Sequence, residues 1–448
     1  MMNAPERIIK MYAPREAIHP RETQGHYTRL RWLCVWLTQI AFYATPWLQW
    51  NGRQALLFDL AARKFYIFGL VLWPQDFIYL AVLLIICAYS LFLVTAVAGR
   101  VWCGFACPQT VYTEIFLWLE RRWEGPRSAR LRLDKQGFTF DKAWRRGGKH
   151  LSWALVGLWT GFTFVGYFTP IRVLSGLQFG PWETFWVLFY GFATYGNAGW
   201  LREQVCRYMC PYARFQSSMF DRETLIVTYD GKRGEPRVPL GKEGGACIDC
   251  SMCVQVCPAG IDIRKGLQYE CISCAVCIDA CDGVMDKIGR PRGLIHYAAG
   301  NGKQATWRRV LRPRILVYSA VLWLIIAAFG AALWLRTPLK LDVLRDRGAM
   351  GREVEDGAIE NVYRLQIMNT TEQPHRYRIT VAGLESLAPV TEDVVAVGPT
   401  ETLAAPLRLR VAAGNGQRGS NRITVALTAL DDPALHVQEE AVFIIPRR

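Results

Sequence analysis

The sequence predicts a multi-domain membrane protein with about five transmembrane α-helices, an inserted cysteine-rich domain and a C-terminal all-β sandwich. Three observations predict it. Eight of the 14 cysteines fall within residues 247–281, in two runs of nearly one spacing. Residues 77–98 and 315–335 are uncharged and long enough to cross the hydrocarbon of a bilayer, about 30 Å thick. From about Thr337 onward the texture changes to short, alternating, β-branched segments separated by Gly, Asn and Pro.

The cysteine runs read Cys247-x2-Cys250-x2-Cys253-x3-Cys257-Pro258 and Cys271-x2-Cys274-x2-Cys277-x3-Cys281. Three thiolates at such intervals grip three irons of a cubane, and a more distant fourth closes it; in two-cluster ferredoxins that fourth thiolate comes from the other run. Cys247, Cys250, Cys253 and Cys281 are therefore expected to hold one 4Fe-4S cluster, and Cys271, Cys274, Cys277 and Cys257 the other. Structural zinc would instead join two C-x2-C pairs across a longer loop. The second run departs from the pattern in one respect: Asp282, where proline is usual, follows Cys281. Two adjacent clusters point to an electron wire.

The remaining cysteines imply no disulfide framework, since the chain has none after Cys281 and the thiols need a reducing compartment, the cytoplasmic side. The net charge of +15 would suit nucleic acid, but the basic residues border the apolar stretches as membrane topology requires, so no nucleic-acid partner is expected. Residues 32–48, 151–171 and 184–200 complete the five expected spans, and Phe65 to Trp73 reads as an interfacial or re-entrant piece. The segment from Arg100 to Lys149 carries 11 Lys and Arg; the alternate loop, Asn51 to Asp76, carries only Arg53, Arg63 and Lys64. The basic loop is therefore expected inside, together with the N-terminal arm and the ferredoxin segment before Arg308, Arg309, Arg312 and Arg314. No cleavable signal peptide is expected.

Two further pairs repeat one motif: Trp102-Cys103 to Cys107-Pro108 directly after the second span, and Val205-Cys206 to Cys210-Pro211 directly after the fourth. Cysteines four apart share a helix face, so the pairs together offer two to four soft ligands suited to Cu(I). Met209 could add a soft ligand, and Arg100, Arg202 and Arg207 could lower the thiol pKa values. Cys34 and Cys87 read as packing. The six histidines include no pair within the spans, which disfavours a b-type haem, and Gly231 to Gly245 lacks the pattern of a nucleotide loop.

Beyond Thr337, segments such as Val362 to Met368, Tyr377 to Val381, Leu407 to Val411 and Ile423 to Leu427 predict six or seven short strands in an immunoglobulin-like sandwich without a disulfide, expected in the periplasm. The fold assigns no task, and docking or stabilisation is the plainer role. The expected domains are an arm, 1–31; a four-helix region, 32–200, with its second C-x3-C-P motif ending at 211; a cytoplasmic segment, 212–314, with the ferredoxin-type domain at 240–295; a fifth span, 315–335; and the sandwich, 337–448.

Together, Trp73-Pro74-Gln75-Asp76, both C-x3-C-P motifs, both ferredoxin runs and the sandwich resemble the cytochrome c oxidase accessory proteins of the CcoG/FixG/RdxA type. The resemblance implies a multi-pass protein of the bacterial cytoplasmic membrane that reduces Cu(II) to Cu(I) while copper is supplied to a cbb(3)-type oxidase. It implies a copper chaperone or oxidase assembly factors as partners, besides the lipid membrane and an electron donor that the sequence does not identify. The eight ferredoxin cysteines would then hold the clusters, and Cys103, Cys107, Cys206 and Cys210 become candidate catalytic, copper-binding or relay residues. Alternative readings are a quinol-linked conduit to another redox partner and a non-catalytic assembly scaffold.

Overall fold

The computed structural model describes residues 18–239, 241, 243–299, 312–346, 351–354 and 357–446. The first 17 residues of the expected arm, together with Arg308 and Arg309, lie outside them. The chain divides into two compact units, residues 1–48 with 82–325 and residues 49–81 with 326–448. Of the three boundaries, one precedes the strand Gln49–Trp50 and two fall inside helices, Phe77–Ala98 and Pro313–Trp334, which are long and apolar enough to cross a membrane.

The first unit is helical. Pro108, Pro181 and Pro211 each open a helix, Pro108–Glu124, Pro181–Thr194 and Pro211–Met219, in the first turn, where the missing N–H costs nothing and φ is preset. The other three stretches expected to span are helical with shifted ends. Residues 32–48 lie on the His26–Ala44 helix, which tightens into a 3-10 turn at Pro46. Residues 151–171 form the second half of Phe140–Val165, which starts earlier because Thr139 caps Lys142 N at 3.3 Å. Residues 184–200 run on from Pro181–Thr194 into a π-helical stretch, Tyr195–Leu201. Gly157 and Gly161 let two of these helices meet backbone to backbone: a Cβ on Gly161 would stand 2.3 Å from Val187 O, and one on Gly157 2.7 Å from Gly191 O. Such small-xxx-small contacts are how helices associate where no hydrophobic force acts between them.

Asp279 joins the amino end of the first helix to the cysteine-rich segment. It accepts from Tyr27 N (3.2 Å), Thr28 N (2.7 Å) and Thr28 Oγ1 (2.8 Å), satisfying donors that the helix itself leaves free. Glu120, 1% exposed, binds Arg130 and Arg202 and lies 3.4 Å from His19 Nδ1. Burial alone would raise the pKa of Glu120, but the His19 hydrogen bond and the charges of Arg202, Lys149 and Arg130 hold it well below its usual 4.5.

The second unit is a β-sandwich. One sheet runs Ala388–Pro389, Thr402–Val411, Ile359–Asn369, Leu339–Arg345, with Arg352–Glu353 pairing off Ile359–Asn369; the other runs Val394–Val397, His375–Ala382, Gly419–Ala429, His436–Ile445. All four segments expected as strands lie within longer ones, so the described residues hold nine sandwich strands rather than six or seven. Alternation decides the faces: Leu407, Leu409 and Val411 enter the core while Arg408 and Arg410 point out.

The stretch from Phe65 to Trp73, expected as an interfacial or re-entrant piece, is β-structure that packs on the sandwich. Strands Leu56–Asp59, Lys64–Ile67 and Leu70–Leu72 form an antiparallel sheet, turned at Phe68, whose φ is 52°. Val71 and Trp73 pack on Met368 of the sandwich, and Lys64 Nζ donates to Thr400 O at 2.7 Å. Asp76, 2% exposed, accepts from Trp73 N (3.1 Å) and Arg336 Nη2 (2.6 Å) and binds Lys340. Residues 49–76 therefore belong with the C-terminal domain, not with a four-helix region at 32–200.

Removing one member of a buried ion pair strands its partner, at roughly 3–5 kcal/mol. Asp76→Ala is thus expected to open the 49–76 sheet to limited proteolysis without loss of iron, which peptide mapping and iron analysis would check. For Glu120, the depressed pKa contributes stability that is present above pH 4.5 and lost as pH falls further. Glu120→Gln should lower thermal stability at neutral pH, with the gap to the parent narrowing on acidification; a gap constant with pH would show that the Glu120 charge is not its source.

Candidate functional site

The two cysteine loops are built alike in the backbone as well as in sequence. Asp249 and Ser251 have φ of 50° and 55°, and their counterparts 24 residues on, Ser273 and Ala275, have 53° and 61°. None is glycine, so each is strained, and such residues persist where the surroundings over-determine them. Left-handed residues on either side of the middle cysteine curl each loop into the kind of backbone nest that cradles an anionic centre. Directly after Ser251 and Ala275 the helices Met252–Gln255 and Val276–Lys287 begin.

The fourth cysteines cross over. The thiol of Cys281 lies within electrostatic reach of Cys253, Cys250 and Cys247, and that of Cys257 within reach of Cys274 and Cys271. Cys257, Cys271, Cys274 and Cys277 line one cavity, which Cys253 of the other run also reaches, walled otherwise by apolar groups such as Ile261, Ile263 and Ile272. Cys277 and Cys281 are one turn apart on Val276–Lys287, about 6 Å along its axis, so a single helix serves both sets. That explains Asp282: the chain continues as helix and needs no proline to turn, and Asp282 accepts from Gly293 N at 2.9 Å instead.

Burial pushes the thiols of Cys253 and Cys271 up to about 11 and those of Cys257 and Cys281 to about 12, and raises that of Cys277 well above its usual 9. Without metal these thiols stay neutral, and loading must displace their protons. Among the described residues no three His, Cys, Asp or Glu groups stand close enough to share a single ion. A cubane spreads its thiolates over four irons, so four cysteines around a cavity in a nest of left-handed residues fit a cluster.

The C-x3-C-P motifs converge too, but not through a shared helix face. Proline drives the residue before it out of the α region. Cys103 sits on the short helix Val101–Phe105, whereas Cys107 is extended (ψ 128°) and caps Pro108–Glu124. Likewise Cys206 lies on the π-turn Val205–Met209 and Cys210 (ψ 109°) caps Pro211–Met219. Cys103 is within electrostatic reach of Cys107, Cys206 and Cys210. Its Sγ donates to Gln216 Oε1 (3.3 Å), which also accepts from Arg100 Nε (3.0 Å). Of the three arginines, Arg100 alone is held against this group; Arg202 binds Glu120 and Arg207 donates to Ala259 O (2.8 Å). Burial outweighs Arg100, leaving Cys103 at about 12 and Cys206 at about 11, with Cys107 also raised despite the Thr110 and Gln109 amides. Met209 is mostly exposed, as is Cys87, and Cys34 is half-buried.

This group abuts the second cysteine loop. Cys103 packs with Ile272, Cys274 and Val276, and Arg100 donates to the carbonyls of Tyr269 and Cys271. A Cβ on Gly104 would lie 2.7 Å from Ile272 O and 2.9 Å from Cys274 Cα. Sequence reasoning missed Gly104, Gln216 and Asp279; a glycine between two motif cysteines was the available signal of close backbone approach.

Relatives match along almost the whole chain. Protein RdxA of Cereibacter sphaeroides is 42% identical over 94% of this chain and 93% of its own length. The chain belongs to the FixG/RdxA family. Nitrogen fixation protein FixG of Rhizobium meliloti is 38% identical over 97% of this chain and 94% of its own, and Protein RdxB of Cereibacter sphaeroides 40% over 93% of each. A family model described as an Ig-like fold at the C-terminus of FixG matches residues 329–446. A 4Fe-4S dicluster model matches 201–243 and 240–300, and a 4Fe-4S binding model matches 80–126, the stretch with Cys103 and Cys107. This member of the FixG/RdxA family is therefore an iron–sulfur redox protein.

Gly104→Val is expected to push the Cys103 loop off the Cys274 loop, at roughly 1–3 kcal/mol of overpacking. The electron paramagnetic resonance of one cluster should shift while that of the other stays as in the parent.

Proposed function

We propose that the chain is a multi-pass membrane protein that transfers electrons to Cu(II), forming Cu(I), in support of copper supply to a cbb(3)-type cytochrome c oxidase. The observation that carries this reading is that Cys103 packs against the loop of Cys274 with Cys107, Cys206 and Cys210, two of them from a distant motif, within electrostatic reach of it. Thiols such as those of Cys103 and Cys206, which burial pushes up, favour the soft ion beside a redox centre: Cu(II) prefers nitrogen and oxygen, and thiolates stabilise Cu(I).

In this reading Cys247, Cys250, Cys253 and Cys281 hold one 4Fe-4S cluster and Cys257, Cys271, Cys274 and Cys277 the other. When bound, the clusters supply one-electron storage. The chain's own residues do the rest. The helix Val276–Lys287 sets the spacing between the two ligand sets, Ile261, Ile263 and Ile272 exclude water, and Gln216 orients the Cys103 thiol for the incoming ion. A partner copper chaperone or oxidase assembly factor would take up Cu(I).

In this reading the chain crosses the membrane five times, through the two long apolar helices and through His26–Ala44, Phe140–Val165 and the Pro181–Leu201 stretch. With the basic Arg100 to Lys149 segment inside, the cysteine-rich domain faces the cytoplasm and the sandwich the periplasm.

The test is anaerobic. The reconstituted protein is reduced with dithionite, freed of excess reductant and mixed with Cu(II), while cluster resonance and a Cu(I) chelator are followed. Cluster oxidation with matching Cu(I) is the expected result, and serine at Cys103, Cys107, Cys206 or Cys210 should slow it with cluster spectra unchanged. Clusters that stay reduced beside persisting Cu(II) would exclude copper as the acceptor. Cys257→Ser and Cys281→Ser should each degrade the cluster of the opposite run, which the resonance also reads.

A further inference from the structure

A cavity of about 920 Å³ opens between the His26–Ala44, Pro108–Glu124 and Phe140–Val165 helices, near the upper end of the roughly 300–1,000 Å³ that small-molecule sites span. Trp32, Val35, Trp36, Gln39, Ile40 and Tyr43 recur down one face of the first helix, so the cavity follows that helix for roughly 16 Å. Trp118 and Trp159 face them from the other two helices. The rim is exposed, with Trp36 61% and Leu155 59% accessible, so a ligand can enter sideways.

Two polar features break the apolar wall. Gln39 is 9% exposed, yet its Oε1 has no hydrogen-bond partner. Glu22 and Arg121 stand at the Trp32 end, where a second cavity of about 50 Å³ begins; these three residues line both. The far side of the smaller cavity is Val256, Pro258 and Val276, the chain neighbours of Cys257 and Cys277. An elongated, tryptophan-rich groove thus ends one thin layer from the ligands of the second cluster.

We propose that this cavity binds a lipid-soluble quinol, the electron donor for the clusters; the inference rests on the electron-transfer reading above. A planar ring stacks on the tryptophans, a hydrocarbon tail lies along the apolar face, and a quinol hydroxyl supplies the donor that Gln39 Oε1 lacks. A bilayer acyl chain would fill the same wall and leave Gln39 Oε1 without a donor. Oxidation of the quinol to the quinone breaks two O–H bonds and releases two protons and two electrons. The protons pass to water at the mouth beside Glu22, and the electrons go to the two iron–sulfur centres, one to each.

The test uses the full chain with its clusters in lipid nanodiscs. A photoreactive azido-decylubiquinone should label peptides of the three cavity helices, and decylubiquinone should compete. Gln39→Leu should weaken that competition about tenfold, the equivalent of one hydrogen bond, with visible absorbance confirming normal cluster content. Decylubiquinol added to oxidised protein should bleach the clusters. Label spread evenly over Phe77–Ala98 and Pro313–Trp334, insensitive to competitor, would mean lipid contact only and overturn the site. Protein that reduces Cu(II) after dithionite but neither binds quinone nor oxidises quinol would overturn the site and leave the copper reading standing. Clusters bleached by quinol but not reoxidised by Cu(II) would do the reverse.

Discussion

Cys277 and Cys281 stand one turn apart on a single helix, and much of the first unit follows from that rigid spacing. A helix fixes the separation of the two ligand sets at the distance of its own rise, which a loop could not do. The same helix carries Asp279, whose carboxylate caps the His26–Ala44 helix. The helix that sets the two ligand sets therefore also anchors the His26–Ala44 helix. Arg100, Gly104 and Gln216 complete the junction from the other side, bringing the paired cysteines against the Cys274 loop through backbone contacts that leave no room for a side chain.

Burial dominates the chemistry of every cysteine whose thiol is perturbed. Electrostatic help exists, from Arg100 and from the amides after Cys107, but it is too small to offset the loss of water. A site of this kind discriminates by softness rather than by charge, because the ion itself must supply the energy that deprotonates its ligands. Buried carboxylates of the helical unit are met by cations: Glu120 by Arg130 and Arg202, and Glu124 by Lys149.

The cysteine runs were legible because cluster spacing is a local, covalent property, and the sandwich strands because alternation survives in Leu407 to Val411 and its like. The crossing of the fourth cysteines rested on the same spacing pattern. What stayed hidden depended on distant partners. The Lys64 to Leu72 hairpin is apolar for the sake of Met368, some three hundred residues later, and in isolation it looks like a piece of membrane. The four-residue spacing of Cys103 and Cys107 suggested a common helix face, but Pro108 outranks periodicity at that point. Helix ends shifted where a cap such as Thr139 carried the helix into polar sequence.

Asp76 is made early and satisfied late. Its two cations, Arg336 and Lys340, leave the ribosome only after the entire first unit has been synthesised. Until then the carboxylate lacks both cations and Val71 and Trp73 lack the face of Met368, so the 49–76 sheet completes its packing only once the last domain has been made.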